Sequence, residues 1–116
     1  MIATKIAVPD LVSNSYFPAI AATSLGFFEK EGLAATHELI FPNYKAYEAL
    51  REGAVDFVAG PAHVALAGFP EWCGAKLLCA LSQGRCGLRV MRADLCIVPG
   101  YVTAVKGRTI GAAPKL

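Results

Sequence analysis

Residues 5–41, KIAVPDLVSNSYFPAIAATSLGFFEKEGLAATHELIF, decide the fold. A short β-branched run, Lys5 to Val8, stops at Pro9-Asp10 and gives way to a polar loop and an Ala-rich run. A second apolar run follows at His37 to Phe41. Such alternation is the sequence form of a βαβ unit, two parallel strands joined by a helix. The first strand is expected at Lys5 to Val8, with Leu11 to Asn14 as the turn-rich loop. Ser15 is placed to cap a helix from Tyr16 to about Leu25, its hydroxyl accepting from first-turn amides, where Pro18 is tolerated. Gly26 suits the residue just past that helix, Phe27 to Glu31 add a short turn, and Gly32 closes it in the left-handed conformation.

Working outward, the alternation continues. Tyr44, Tyr47 and Leu50 fall at three-residue spacing, which predicts a helix over Tyr44 to Glu52 stopped by Gly53. Phe57 to Ala59 reads as a short buried strand. Gly60-Pro61 opens the next helix, proline being preset for the first helical position, and His63 to Gly68 continue it. Phe69 to Ala75 are a connection, Lys76 to Leu81 a fourth strand and Gly87 to Arg92 a fifth. Asp94 to Val105 read as an irregular linker. Gly107 to Pro114 look like a further strand that begins and is then cut off, which leads one to expect truncation. The fold class expected is α/β, a doubly wound and mainly parallel sheet with helices on both faces.

The chain has 116 residues, 55% apolar and 17% charged, which suits one domain with one core. An average domain is about 25% charged, so some apolar surface is expected to meet a partner. No apolar run approaches the length of a membrane span. No basic segment with an apolar core and cleavage site opens the chain, which implies a cytoplasmic protein or a removed leader. Residues 1–58 carry four basic and seven acidic side chains, net −3, and residues 59–116 carry seven and two, net +5. The second half therefore favours anions. The basic residues are scattered without aromatic interleaving, so nucleic acid is not an expected partner. Cys73, Cys79, Cys86 and Cys96 are too irregularly spaced for a zinc ribbon or a redox pair, and no metal or cofactor is expected. Cys79 lies in an apolar run as a small hydrophobe. A Cys73–Cys86 or Cys86–Cys96 disulfide stays open for an oxidising compartment.

Four segments in order carry a resemblance. They are Phe17-Pro18-Ala19-Ile20-Ala21-Ala22 with Leu25-Gly26-Phe27-Phe28-Glu29-Lys30-Glu31-Gly32-Leu33, then Ala49 to Phe57, then Gly60-Pro61-Ala62, and last Val105 to Gly111. Together they resemble the first lobe of type II periplasmic substrate-binding proteins of the nitrate, taurine and sulfonate group, which includes thiamine-pyrimidine precursor binders. The resemblance covers almost the whole chain, though the leader and nearly all of a second lobe are missing and four cysteines are more than the pattern leads one to expect. It implies a periplasmic or lipid-anchored extracellular receptor that closes two lobes over a small solute and docks on the membrane permease of an ABC importer, with 1–105 as the first lobe of that two-lobe protein and 106–116 as the crossover into a second lobe that is truncated or absent.

Ligands of this architecture bind at the carboxyl ends of the strands, beside the topological switch point. The expected ligand-binding residues are therefore Ser13, Asn14, Ser15 and Tyr16 after the first strand, Tyr44 with Asn43 after the second, Gly60, Pro61 and Ala62 after the third, and Ser82 and Gln83 after the fourth. Helix amino ends there favour a small anionic or polar solute: a sulfonate, a carboxylate or a pyrimidine. Each residue also has a plainer role. Ser15 is first an N-cap and Asn14 a turn residue, Tyr16 and Tyr44 suit core aromatics, and Gly60 suits a cap. His63, on an apolar helix, reads first as a satisfied core histidine and second as a site residue, and His37 as strand surface. Arg85, Arg89 and Arg92 suit an anion clamp or, more simply, solvated charges or partners of Asp94. No catalytic motif is present. An enzyme on the same fold, related to pyrimidine synthases or aromatic-acid decarboxylases and cytoplasmic, is the second reading; an oligomerising half-lobe that forms a homodimer through exposed surface is the third.

Overall fold

A computed structural model describes residues 1–71, 73–83, 94, 103 and 106–111. The chain divides into two compact units, Met1–Gln83 and Gly84–Leu116. The first unit holds every helix and strand described: β1 (Ile2–Val8), α1 (Phe17–Ser24), α2 (Phe27–Lys30), β2 (Leu33–Leu39), α3 (Asn43–Arg51), β3 (Phe57–Val58) and α4 (Ala62–Gly68). It is a small α/β fold whose three strands are all parallel, in the order β2-β1-β3. In the second unit, Lys106 and Gly107 form a turn, and Arg108 to Gly111 continue it without strand pairing. The boundary expected at residue 105 lies inside this second unit.

β1 is central because its residues are apolar on both sides, as a strand covered on both faces requires. Ile6 and Val8 pack with Ala19 of α1, Phe28 of α2 and Ala59. Ala7, between them in sequence, packs with Ala46 of α3 and with Val55 on the opposite face. Successive side chains of a strand point to opposite faces, so α1 and α2 cover one side of the sheet and α3 the other. α4 joins the α3 side, where Tyr47, Val64, Ala65 and Phe69 form a third cluster.

Asp56 starts β3. The Lys5 amide donates to its carboxylate Oδ2 at 2.8 Å, and its own amide donates to the Lys5 carbonyl at 3.0 Å. The Ala59 amide continues the pairing onto the Ala7 carbonyl at 2.9 Å. Gly26, Gly32 and Gly53 take left-handed φ angles of 72°, 79° and 74° where the sequence expected α1, α2 and α3 to stop.

Several expectations need correction. β2 runs from Leu33 to Leu39 rather than from His37 to Phe41, because all seven residues of β1 are available to pair with it in register. α1 begins at Phe17 after Tyr16, and no side chain caps it. Ser15 spends its amide on Ser13 Oγ instead, at 3.3 Å. Pro61 stands one residue before α4 rather than inside it. Lys76 to Leu81 form no strand; Leu77 and Leu78 are exposed, and only Leu81 reaches the core, beside Ile6 and Val8. Cys79 is accordingly exposed and free, as is Cys73. The expected fifth strand, with Arg85, Arg89, Arg92, Cys86 and Cys96, lies outside the described residues.

Candidate functional site

In the order β2-β1-β3, the chain leaves β1 toward β2 on one side, and β2 returns across β1 to reach β3 on the other. The connections out of β1 and β3 therefore diverge, which makes the space outside the carboxyl ends of these two strands the switch-point crevice of the sheet. Its walls are the loop Pro9 to Tyr16 after β1 and Gly60-Pro61-Ala62 after β3.

The first wall is shaped by Asp10. Its carboxylate Oδ1 accepts from the Val12 amide at 2.9 Å and from the Ser13 amide, a side chain imitating a backbone turn. The Tyr16 amide then donates to the Ser13 carbonyl at 3.2 Å, which turns the chain into α1. Ser13, Ser15 and Tyr16 are half-buried, and Asn14 is exposed. The second wall is shaped by Tyr47, a residue of α3 that the sequence marked only as part of a helical stripe. Its ring is buried, and its hydroxyl donates to the Pro61 carbonyl at 2.8 Å. A Cβ on Gly60 would meet Tyr47 Oη at 3.0 Å and Val58 Cγ1 at 3.1 Å, so the absence of a side chain at residue 60 lets the ring close against the backbone.

Burial pushes the Tyr47 phenol up to about 12, and the nearby Tyr16 phenol adds to the rise by charge repulsion. The expected residues Gly60 and Pro61 thus meet Tyr47, a centre that sequence reasoning missed. The signal was present as an aromatic in the middle of the helical stripe, 14 residues before Pro61.

The other candidates stand apart. Tyr44 is exposed at the amino end of α3, beside exposed Phe41 in the preceding loop. Ala62 begins α4 and is exposed, and so is His63, so His63 is not the core histidine expected. α4 is short, and its polar second residue falls on the solvent side while Val64 and Ala65 turn inward. Ser82 and Gln83 are exposed after Leu81. His37 is half-buried on β2 opposite Ile6, and its Nδ1 has no hydrogen-bond partner among the described residues.

A separate open cleft of about 340 Å³ lies at the carboxyl ends of α3 and α4, lined by Leu50, Arg51, Phe69, Glu71 and Cys73 among others. Arg51 sits over the Phe69 ring at 5.9 Å, so its cation already has a partner. These helix ends lie away from the crevice. We place the functional site at the crevice, where the topology brings loop backbone and Tyr47 together.

The class these features define is a small α/β protein with a three-stranded, all-parallel sheet. No family model, curated protein or solved structure matches the chain. Among the described residues no helix is long and apolar enough to cross a membrane, and no group of His, Cys, Asp and Glu is placed to hold a metal ion.

Proposed function

We propose that the crevice between β1 and β3 is a half-site for a small anionic or polar organic solute, and that the chain is the first lobe of a type II substrate-binding protein serving an ABC importer. The observation that carries this reading is the pairing of two loop walls across the switch point, one shaped by the Asp10 carboxylate and the other fixed by the Tyr47 hydroxyl. The doubly wound arrangement of such a lobe agrees with the helix faces described above, α1 and α2 on one side and α3 on the other. Tyr16 and the backbone at Gly60-Pro61 offer a ring face and unsubstituted backbone to a flat or tetrahedral ligand, while the amino end of α1 supplies partial positive charge. A periplasmic setting and a permease partner belong to the same proposal. In a two-lobed receptor the ligand shifts a hinge equilibrium by touching both lobes, so one lobe alone binds weakly.

Isothermal titration and native mass spectrometry with methanesulfonate, benzoate and an aminopyrimidine test the proposal. The expected result is saturable binding of one class that Tyr16→Ala weakens at least tenfold, about 1.4 kcal/mol. Absence of binding by all three, or binding that Tyr16→Ala leaves intact, overturns it. Chemical conversion of a bound probe would favour an enzyme on the same fold instead.

A further inference from the structure

We propose that the outer edge of β2 pairs antiparallel with β2 of a second copy of this chain, about a two-fold axis at Thr36, to give one continuous six-stranded sheet.

The hydrogen bonds into β1 show which groups are left. The Ile2 amide donates to the Gly32 carbonyl at 2.9 Å, and the Ile40 amide donates to the Val8 carbonyl at 3.0 Å. Even-numbered residues of β2 therefore turn their backbone groups toward β1. Odd-numbered residues, Leu33, Ala35, His37 and Leu39, turn theirs outward, because the two edges of a strand are used alternately. No strand pairs with that side among the described residues.

An axis at Thr36 sets Leu33 opposite Leu39 of the second copy, Ala35 opposite its His37, and the reciprocal pairs likewise. These are all narrow, hydrogen-bonded pairs, so each of the four outward N–H groups and four outward C=O groups finds a partner. A shift of the axis to Ala35 or His37 leaves part of the seven-residue strand unmatched. The side chains agree with the same register. Glu38, the strand's one charged residue, faces Ala34 rather than another Glu38, so no like charges oppose each other. Leu33, Ala35, His37 and Leu39 all lie on the α1 side of the sheet, since Leu39 pairs with Val8 and His37 with Ile6.

Natural edges are usually blunted by Lys, Pro or a bulge. Leu33 to Leu39 contain no Lys, Arg, Pro or Gly. Leu39, at the end of the strand, is 54% exposed, and a second copy seated on the edge would cover it.

The test is sedimentation equilibrium of the full chain from dilute to concentrated solution, joined to hydrogen exchange. The expected mass rises from 12.2 kDa toward twice that value, and the Leu33, Ala35, His37 and Leu39 amides become protected in step. His37→Pro removes one outward N–H without touching the β1 ladder and is expected to hold the chain monomeric. Leu39→Lys is the second variant, in case the proline disturbs folding. With all four native cysteines replaced by Ser, Thr36→Cys is expected to form a disulfide-linked dimer and Glu38→Cys not to. A monomer at every concentration, a dimer that survives both edge variants, equal cross-linking at 36 and 38, or protection independent of concentration, as a segment of the same chain would give, each overturns the proposal.

Discussion

Tyr47 keeps its phenol inside the fold with the Pro61 carbonyl as partner, and two measurable consequences follow. Tyr47→Phe removes a hydrogen bond and leaves a carbonyl to fend for itself, so a loss of about 1 kcal/mol in denaturant-unfolding free energy is expected. The pH dependence has a definite sign. The folded protein holds the Tyr47 proton up to about 12, whereas the unfolded chain releases it near the ordinary phenol value of 10.0. Stability from this group is whole below pH 10 and falls as pH rises through 12, by on the order of 1 kcal/mol per pH unit. Urea titrations between pH 9 and pH 12 should show that slope in the native protein and lack it in Tyr47→Phe. At Gly60 a methyl group would press on Tyr47 Oη and Val58, and Gly60→Ala is expected to cost about 1–3 kcal/mol by crowding, read in the same titrations.

At the scale of elements, β3 has only two residues, and Asp56 supplies what its length does not. The two bonds between Asp56 and Lys5 lengthen the attachment of β3 to β1 at its amino end. Asp56→Ala is expected to lower the thermal midpoint through a loss of about 1 kcal/mol and to speed hydrogen exchange at Phe57 and Ala59. Asp56 had been visible in the sequence only as part of a Val-Asp-Phe pattern. The glycine stops at 26, 32 and 53 were legible because each needs a backbone conformation that side chains disfavour, a local property. The end of β2 was not, because its extent is set by β1, a neighbour 31 residues away in register, and not by its own residues. Lys76 to Leu81 show the converse. A run with the composition of a strand stays unpaired in the first unit, since composition says nothing about whether a partner edge is offered. In the candidate site, the loops were readable from strand order, but the centre at Tyr47 was not, because a helix position 14 residues before Pro61 meets it only through folding.

For the molecule as a whole, the first unit contains all three core clusters and every helix and strand described. A chain ending at Gln83 is therefore expected to keep its helix and strand signal in far-ultraviolet circular dichroism and to melt cooperatively; a flat, structureless spectrum would show that the residues after Gln83 are needed for folding. The strand order carries a further consequence. β1 precedes both of its partners in the chain, and its pairing with β3 joins Ile6 to Phe57. During synthesis, the middle of the sheet leaves the ribosome first and waits, bare on one side, until more than fifty residues have followed it. The growing chain is thus most exposed to misassociation through its own central strand, and its success depends on how quickly translation delivers Asp56.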